Sequence, residues 1–154
     1  MKITILSCSK KKYPLSEGET IEAKDLYQGQ IFRKSYIYAH KFLKPDRIYI
    51  LSAKYGLLKP SDRVCIYDET LKNLSSERQK DWGKRVLEQM RSEGLNLESD
   101  ELTFLTGKAY YKNLIGEGKC ENFILPFVES QCKNQGQILK FLNTQIENED
   151  SKKY

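Results

Sequence analysis

The residues best equipped for chemistry lie in three short stretches, each directly after an apolar run. Ser7-Cys8-Ser9-Lys10-Lys11-Lys12, Ser52-Ala53-Lys54-Tyr55-Gly56 and Thr106-Gly107-Lys108-Ala109-Tyr110 each supply a hydroxyl, backbone N–H groups near a turn or helix start, and an ammonium. Those are the parts that neutralise and orient a phosphate or carboxylate. Two of the stretches share the pattern Leu-[Ser/Thr]-small-Lys, at Leu51–Lys54 and Leu105–Lys108; in the first, Lys10 comes one place later. The expected binding set is therefore Ser7, Ser9, Lys10, Ser52, Lys54, Gly56, Thr106, Gly107 and Lys108. The plainer alternative is that small residues serve where strands turn into helices, while the lysines point into water.

Cys8 stands beside hydroxyls and three lysines, a setting that favours the nucleophilic thiolate. A small residue packed at a strand end is the competing reading. Asp25 and Asp68 are the carboxylates placed to act as general base, each beside a tyrosine, Tyr27 and Tyr67. Alone, either could equally be a helix cap or a loop brace. Arg33 could hold a phosphate bidentately. Of ten tyrosines, several, including Tyr27, Tyr55, Tyr67 and Tyr110, fall beside the expected site, where aromatics among lysines suit stacking on bases. Cys8, Asp68 and Asp25 are thus the catalytic candidates.

Several chemistries are excluded. The four cysteines, at positions 8, 65, 120 and 132, form no C-x-x-C pair, and His40 is the single histidine, so neither a zinc signature nor a multi-histidine metal centre is encoded. There is no G-x-x-x-x-G-K-[ST]. The one G-x-G, Gly116–Gly118, precedes a strand instead of following one, which argues against a dinucleotide fingerprint. No cofactor and no metal are expected, with Mg²⁺ carried on a substrate phosphate left open.

Charge points to the partner. Residues 1–60 hold 12 Lys/Arg against 5 Asp/Glu, while residues 61–154 hold 14 against 16. A basic first part suggests a nucleotide, nucleic acid or another phosphate-bearing ligand. The 154 residues fit a single domain able to fold without disulfides. No apolar run reaches the ~18 residues of a membrane span, and the opening Met1-Lys2-Ile3-Thr4 has no signal-like core. A cytoplasmic protein with reduced thiols and no membrane partner is expected; the oligomeric state is not encoded legibly.

Four continuous apolar runs must position these stretches: Ile3–Leu6, Ile48–Leu51, Leu102–Leu105 and Phe123–Leu125. Continuous rather than alternating runs mark strands covered on both faces. Between them, helical spacing appears at Phe32, Tyr36, Ala39 and Leu43, then at Trp82, Val86, Leu87 and Met90, with Ser76 and Gln79 as a capping box and Gly94 as the stop. A short helix follows Gly107, and Ile138, Phe141, Leu142 and Ile146 form the last apolar stripe. Repeated βα units predict one three-layer α/β domain over residues 1–146, a four-stranded, mostly parallel sheet with helices on both faces. Residues 13–24 read as a surface loop, and 147–154 as a flexible tail.

The motifs carry a resemblance. Ser7–Lys12, Asp25-Leu26-Tyr27, Ile31–Lys34, Ile50–Leu58 and Tyr67–Leu71 resemble a family of small uncharacterised bacterial and phage proteins with "CSK", "LY", "LSAKYGLL" and "YDxTL" hallmarks, over most of residues 3–110. More distantly, the chain looks like YaaA-type and uracil-DNA-glycosylase-like α/β proteins, which implies a Rossmann-like or uracil-DNA-glycosylase-like fold. Some of those relatives act on nucleobases, including deazaguanine bases in nucleic acid. The chain has no water-activating Asp-Pro pair and no late-loop histidine, so uracil excision does not carry over. The expected function is a nucleotide- or nucleobase-directed hydrolase or transferase. The alternatives are a non-catalytic nucleic-acid or phosphate-binding module, and a thiol sensor built on Cys8.

Overall fold

The computed structural model describes residues 1–151, with side chains through residue 148. In chain order its elements are β1 (Lys2–Ser7), β2 (Ile21–Glu22), α1 (Ala23–Leu26), α2 (Gln30–Tyr38), β3 (Arg47–Ser52), β4 (Gly56–Leu58), β5 (Arg63–Val64), α3 (Ser76–Ser92), β6 (Glu101–Leu105), α4 (Lys108–Tyr111), β7 (Phe123–Ile124), α5 (Pro126–Glu129) and α6 (Gln135–Ser151). A five-stranded sheet runs β4-β3-β1-β6-β7, parallel except for the β3–β4 hairpin.

Alternation along the strands divides the core into two layers. Ile3, Ile5, Tyr49, Leu51, Leu102 and Phe104 pack on one face with Trp82, Val86, Leu87 and Met90 of α3. Leu6, Ile50 and Leu105 face the other way, onto Phe32 of α2, Phe127 of α5 and Leu142 of α6. Both faces are covered, which is why the strands read as unbroken apolar runs. α3 ends at Gly94, whose φ of +85° suits glycine, with Leu95 N–H reaching back 3.1 Å to the Met90 carbonyl.

The four expected strands are present as β1, β3, β6 and β7, and a fifth, antiparallel strand joins them: β4 folds straight back on β3 through the Ala53–Tyr55 turn. Gly56 permits this with a φ of +76°, and any Cβ there would collide with the Gln89 side chain. Gln89 takes the place of a further strand, accepting from Leu57 N–H at 2.8 Å and donating to the Tyr55 carbonyl at 3.1 Å. That satisfies backbone groups which an edge strand would leave open.

Three local expectations need correction. Residues 21–24 are not loop: Ile21–Glu22 pairs antiparallel with Arg63–Val64, and Ala23 is buried. Their backbone partners, Asp62 and Pro60, come from a distant segment, which local composition does not reveal. The cap of α3 is Ser75, not Ser76, its hydroxyl accepting from Arg78 N–H at 3.2 Å. Gln79 instead donates to the Leu71 and Leu74 carbonyls. Finally, α6 continues past residue 146 to Ser151; of the expected tail, residues 152–154 lie outside the described residues.

Candidate functional site

Strand register brings the three chemistry-bearing stretches to one edge. Ser7 of β1 lies opposite Leu51 of β3, and Leu6 lies opposite Leu105 of β6, so all three strands run out together. Cys8 N–H extends the pairing to the Leu51 carbonyl at 2.9 Å. The chain leaving β1 runs to α2 on one face, and that leaving β6 runs to α4 on the other. In an open α/β sheet, the carboxyl ends of two strands whose connections diverge in this way are the usual place for a ligand.

Hydroxyls and one thiol occupy this edge. Ser52 Oγ donates to Tyr67 Oη at 2.8 Å, and the Tyr27 and Tyr67 hydroxyls meet at 2.6 Å. Cys8 Sγ and Tyr110 Oη are 3.1 Å apart. Lys54 N–H and Tyr55 N–H both donate to Ser52 Oγ, at 3.2 and 3.0 Å. Ser52 and Tyr27 are fully buried, Tyr67 is 8% exposed, and Cys8 and Tyr110 are half-buried.

The supporting shell is specific. Trp82 Nε1 donates to the Ser52 carbonyl at 2.9 Å, and its ring meets Tyr110 edge-on at 5.9 Å. Tyr55 packs edge-on against Tyr67 at 5.6 Å and accepts the Cys65 N–H through its hydroxyl at 3.2 Å. Lys12 Nζ lies 4.8 Å over the Tyr67 ring, within cation–π range. Ser9 Oγ accepts from Gly29 N–H and donates to the Lys11 carbonyl, tying the first stretch to the start of α2; a Cβ on Gly29 would approach Ser9 Cβ to 2.7 Å.

Burial pushes the Tyr27, Tyr67 and Tyr110 hydroxyls above the ordinary phenol value of 10.0. For Tyr67 and Tyr110 the next cause is electrostatic repulsion from Cys8, which raises Tyr27 as well. All three are therefore neutral O–H groups at physiological pH, able to donate but poor as bases. Cys120 is a contrast: buried against Met90 sulfur at 3.9 Å, its thiol is pushed up to about 12 and is inert.

Of the expected residues, the fold thus joins Cys8, Tyr27, Ser52, Tyr55, Tyr67 and Tyr110. Ser7 ends β1, and Thr106 is buried with its hydroxyl on the Gly107 carbonyl at 3.2 Å. Lys10, Lys54 and Lys108 are exposed around this edge, Lys54 with its ammonium 5.4 Å over the Tyr55 ring. Gly107 is exposed, and Gly56 serves the hairpin. Asp25, Asp68 and Arg33 are exposed and make no side-chain bond to the cluster. Trp82 and Lys12 belong to the site's structure without having been singled out for it. Trp82 sits inside the helical stripe that explained it as core, whereas Lys12 was visible in the lysine run.

Two hollows, of about 340 and 590 Å³, lie elsewhere, along β3 and β4, and share Tyr49, Lys59 and Glu93. None of the expected site residues lines them. Among their polar side chains, Arg47 donates to Tyr49, Tyr49 donates to Glu93, and Gln89 is spent on the β4 backbone. Among the described residues, no group of three or more His, Cys, Asp or Glu could hold a metal ion, and no helix is long and apolar enough to cross a membrane.

The model of a family of unknown function, DUF6884, matches residues 3–144. The chain belongs to this family. No curated protein matches it. The DUF6884 match runs from β1 into α6, so the whole hydroxyl–thiol cluster, together with Trp82 and Lys12, lies inside the family region.

Proposed function

We propose that this DUF6884 chain is an enzyme acting on a nucleotide or a nucleobase by hydrolysis or group transfer at the carboxyl edge of the sheet. The observation that carries the reading is the joining of Cys8–Tyr110 with Ser52–Tyr67–Tyr27 where the β1 and β6 crossovers part, under a rim of lysines. Lys10, Lys54 and Lys108 meet the phosphate, the tyrosine rings frame the base, and Cys8 is the nucleophile. A Tyr110 hydroxyl donating to sulfur stabilises the thiolate, and Asp68 or Asp25 supplies the base from the exposed side. The distant likeness to nucleobase-modifying α/β proteins points the same way.

Titration of mononucleotides and short oligonucleotides into the full chain tests it. Lys54→Ala and Lys108→Ala each weaken binding, and Cys8→Ala abolishes turnover without abolishing binding. Binding unaffected by both lysine substitutions overturns the assignment. A non-catalytic phosphate-binding module is favoured by one observation, the exposure of all three lysines beside the 48%-exposed Tyr13. It would show affinity falling steeply with salt and no preference among bases.

A further inference from the structure

The hydroxyl chain ending at Tyr67 carries one hydrogen more than its own acceptors can take. Ser52 Oγ fills its two lone pairs with the Lys54 and Tyr55 N–H groups and gives its hydrogen to Tyr67. Tyr27 and Tyr67 then share one hydrogen across 2.6 Å, although each brings its own. Were Tyr67 the donor of that pair, the spare hydrogen would be stranded on Tyr27, which is fully buried. The opposite order is the favoured one. Ser52 and Tyr27 both donate to the Tyr67 oxygen, and the hydrogen left over belongs to Tyr67, which is 8% exposed where Tyr27 has no exposure at all.

Tyr67 so arranged is a one-way group. Both of its lone pairs are occupied, so it cannot accept from a ligand, and two incoming hydrogen bonds strengthen the one it gives. Burial keeps it protonated. Among the described residues the spare hydrogen has no acceptor: the Tyr67 hydroxyl bonds only Ser52 and Tyr27, the Cys8 sulfur pairs with Tyr110, and the Lys12 ammonium lies over the Tyr67 ring. The half-buried Tyr55 ring beside it makes the setting suited to a flat group, while the lysines that would meet a phosphate are exposed.

We propose that the Tyr67 hydroxyl receives the exocyclic carbonyl oxygen of a nucleobase, so that the site takes oxo bases and rejects their amino counterparts. The proposal rests on the nucleotide or nucleobase reading above and names its substrate class. A base amino group placed there would set N–H against O–H with no acceptor on either side, and a site built that way discriminates strongly.

The test is equilibrium titration of the full chain with two matched pairs, inosine against adenosine monophosphate and uridine against cytidine monophosphate, with ribose 5-phosphate alongside. In any pair that binds, the oxo member is expected to bind about tenfold tighter or more. Tyr67→Phe brings the two members to the same affinity. Tyr27→Phe frees one Tyr67 lone pair to accept a base amino hydrogen, so it narrows the difference between the two members without the full loss that Tyr67→Phe gives. Equal binding of a pair by the unaltered chain, or an order that survives in a folded Tyr67→Phe variant, overturns the proposal while the nucleotide reading stands. Ribose 5-phosphate binding as tightly as the oxo nucleotides assigns Tyr67 to a phosphoryl oxygen and overturns it also. No binding by any of the five overturns the nucleotide reading and this proposal together. If Tyr67→Phe fails to fold, as a thermal melt will show, the ratio measured on the unaltered chain decides alone.

Discussion

The two ends of the sheet handle polar groups in opposite ways. At the amino edge, charges close on one another: the Met1 ammonium bonds Asp100 at 2.6 Å, Lys2 N–H bonds Asp46 at 2.7 Å, and Tyr49 accepts from Arg47 while donating to Glu93, both at 3.1 Å. The Tyr49 hydroxyl there both accepts and donates, so it is left with no spare hydrogen. At the carboxyl edge the Ser52–Tyr67–Tyr27 hydroxyl chain contains no ion pair, lies deeper, and has one hydrogen in excess. A closed network serves the fold, whereas an open and buried one is expensive unless something else completes it. The contrast separates a brace from a site although both are built around buried tyrosines.

The largest expected effect lies under the open edge. Trp82→Ala removes a buried ring, its bond to the Ser52 carbonyl and the wall behind Tyr110, and is expected to cost about 3–5 kcal/mol. A denaturant midpoint shift worth less than about 1 kcal/mol would show that Trp82 is not the support described. Next is Ser52→Ala, which strands two backbone N–H groups and is expected to cost about 1–3 kcal/mol. Its counterpart at the closed edge, Tyr49→Phe, releases groups on Arg47 and Glu93 that water can reach, so it is expected to cost less than Ser52→Ala in the same melts. A larger loss at Tyr49 would reverse the comparison.

The pH response sharpens it further. Burial raises the Tyr27, Tyr67 and Tyr110 hydroxyls above 10.0, so the unfolded chain loses these protons first. Their contribution is intact below about pH 10 and falls as the pH climbs past it. Tyrosinate absorbance should therefore show a late-ionising fraction that joins the rest on unfolding; a single ionisation near pH ~10 in the folded chain would contradict the burial. At the amino edge the sign is opposite and the effect smallest. The hydrogen bond from the N-terminal ammonium holds the Asp100 carboxyl below its ordinary 3.8. That contribution is present above about pH 4 and lost as acid protonates the folded form, and Asp100→Asn should flatten this part of the acid limb.

Much of the sheet was legible because strands buried on both faces announce themselves as apolar runs, and the α3 stripe at Trp82, Val86, Leu87 and Met90 could only be helical. What stayed hidden depends on partners far along the chain. Three residues, Gly56–Leu58, cannot declare a strand without β3 beside them, and Ile21–Glu22 becomes a strand only against Arg63–Val64. At the site, the lysines were conspicuous because charge is visible residue by residue. The meeting of Tyr27 with Tyr67, 40 positions apart, and of Cys8 with Tyr110, 102 apart, is made by β1, β3 and β6 lying side by side, and no local pattern records it.

The most direct measurement is a crystal structure of the chain grown with inosine monophosphate. The account expects the base between β1 and β6, its exocyclic carbonyl oxygen within hydrogen-bond distance of the Tyr67 hydroxyl, and the phosphate out among Lys10, Lys54 and Lys108. A nucleotide seated instead in the hollow lined by Tyr49, Lys59 and Glu93, with the carboxyl edge unchanged, would contradict it.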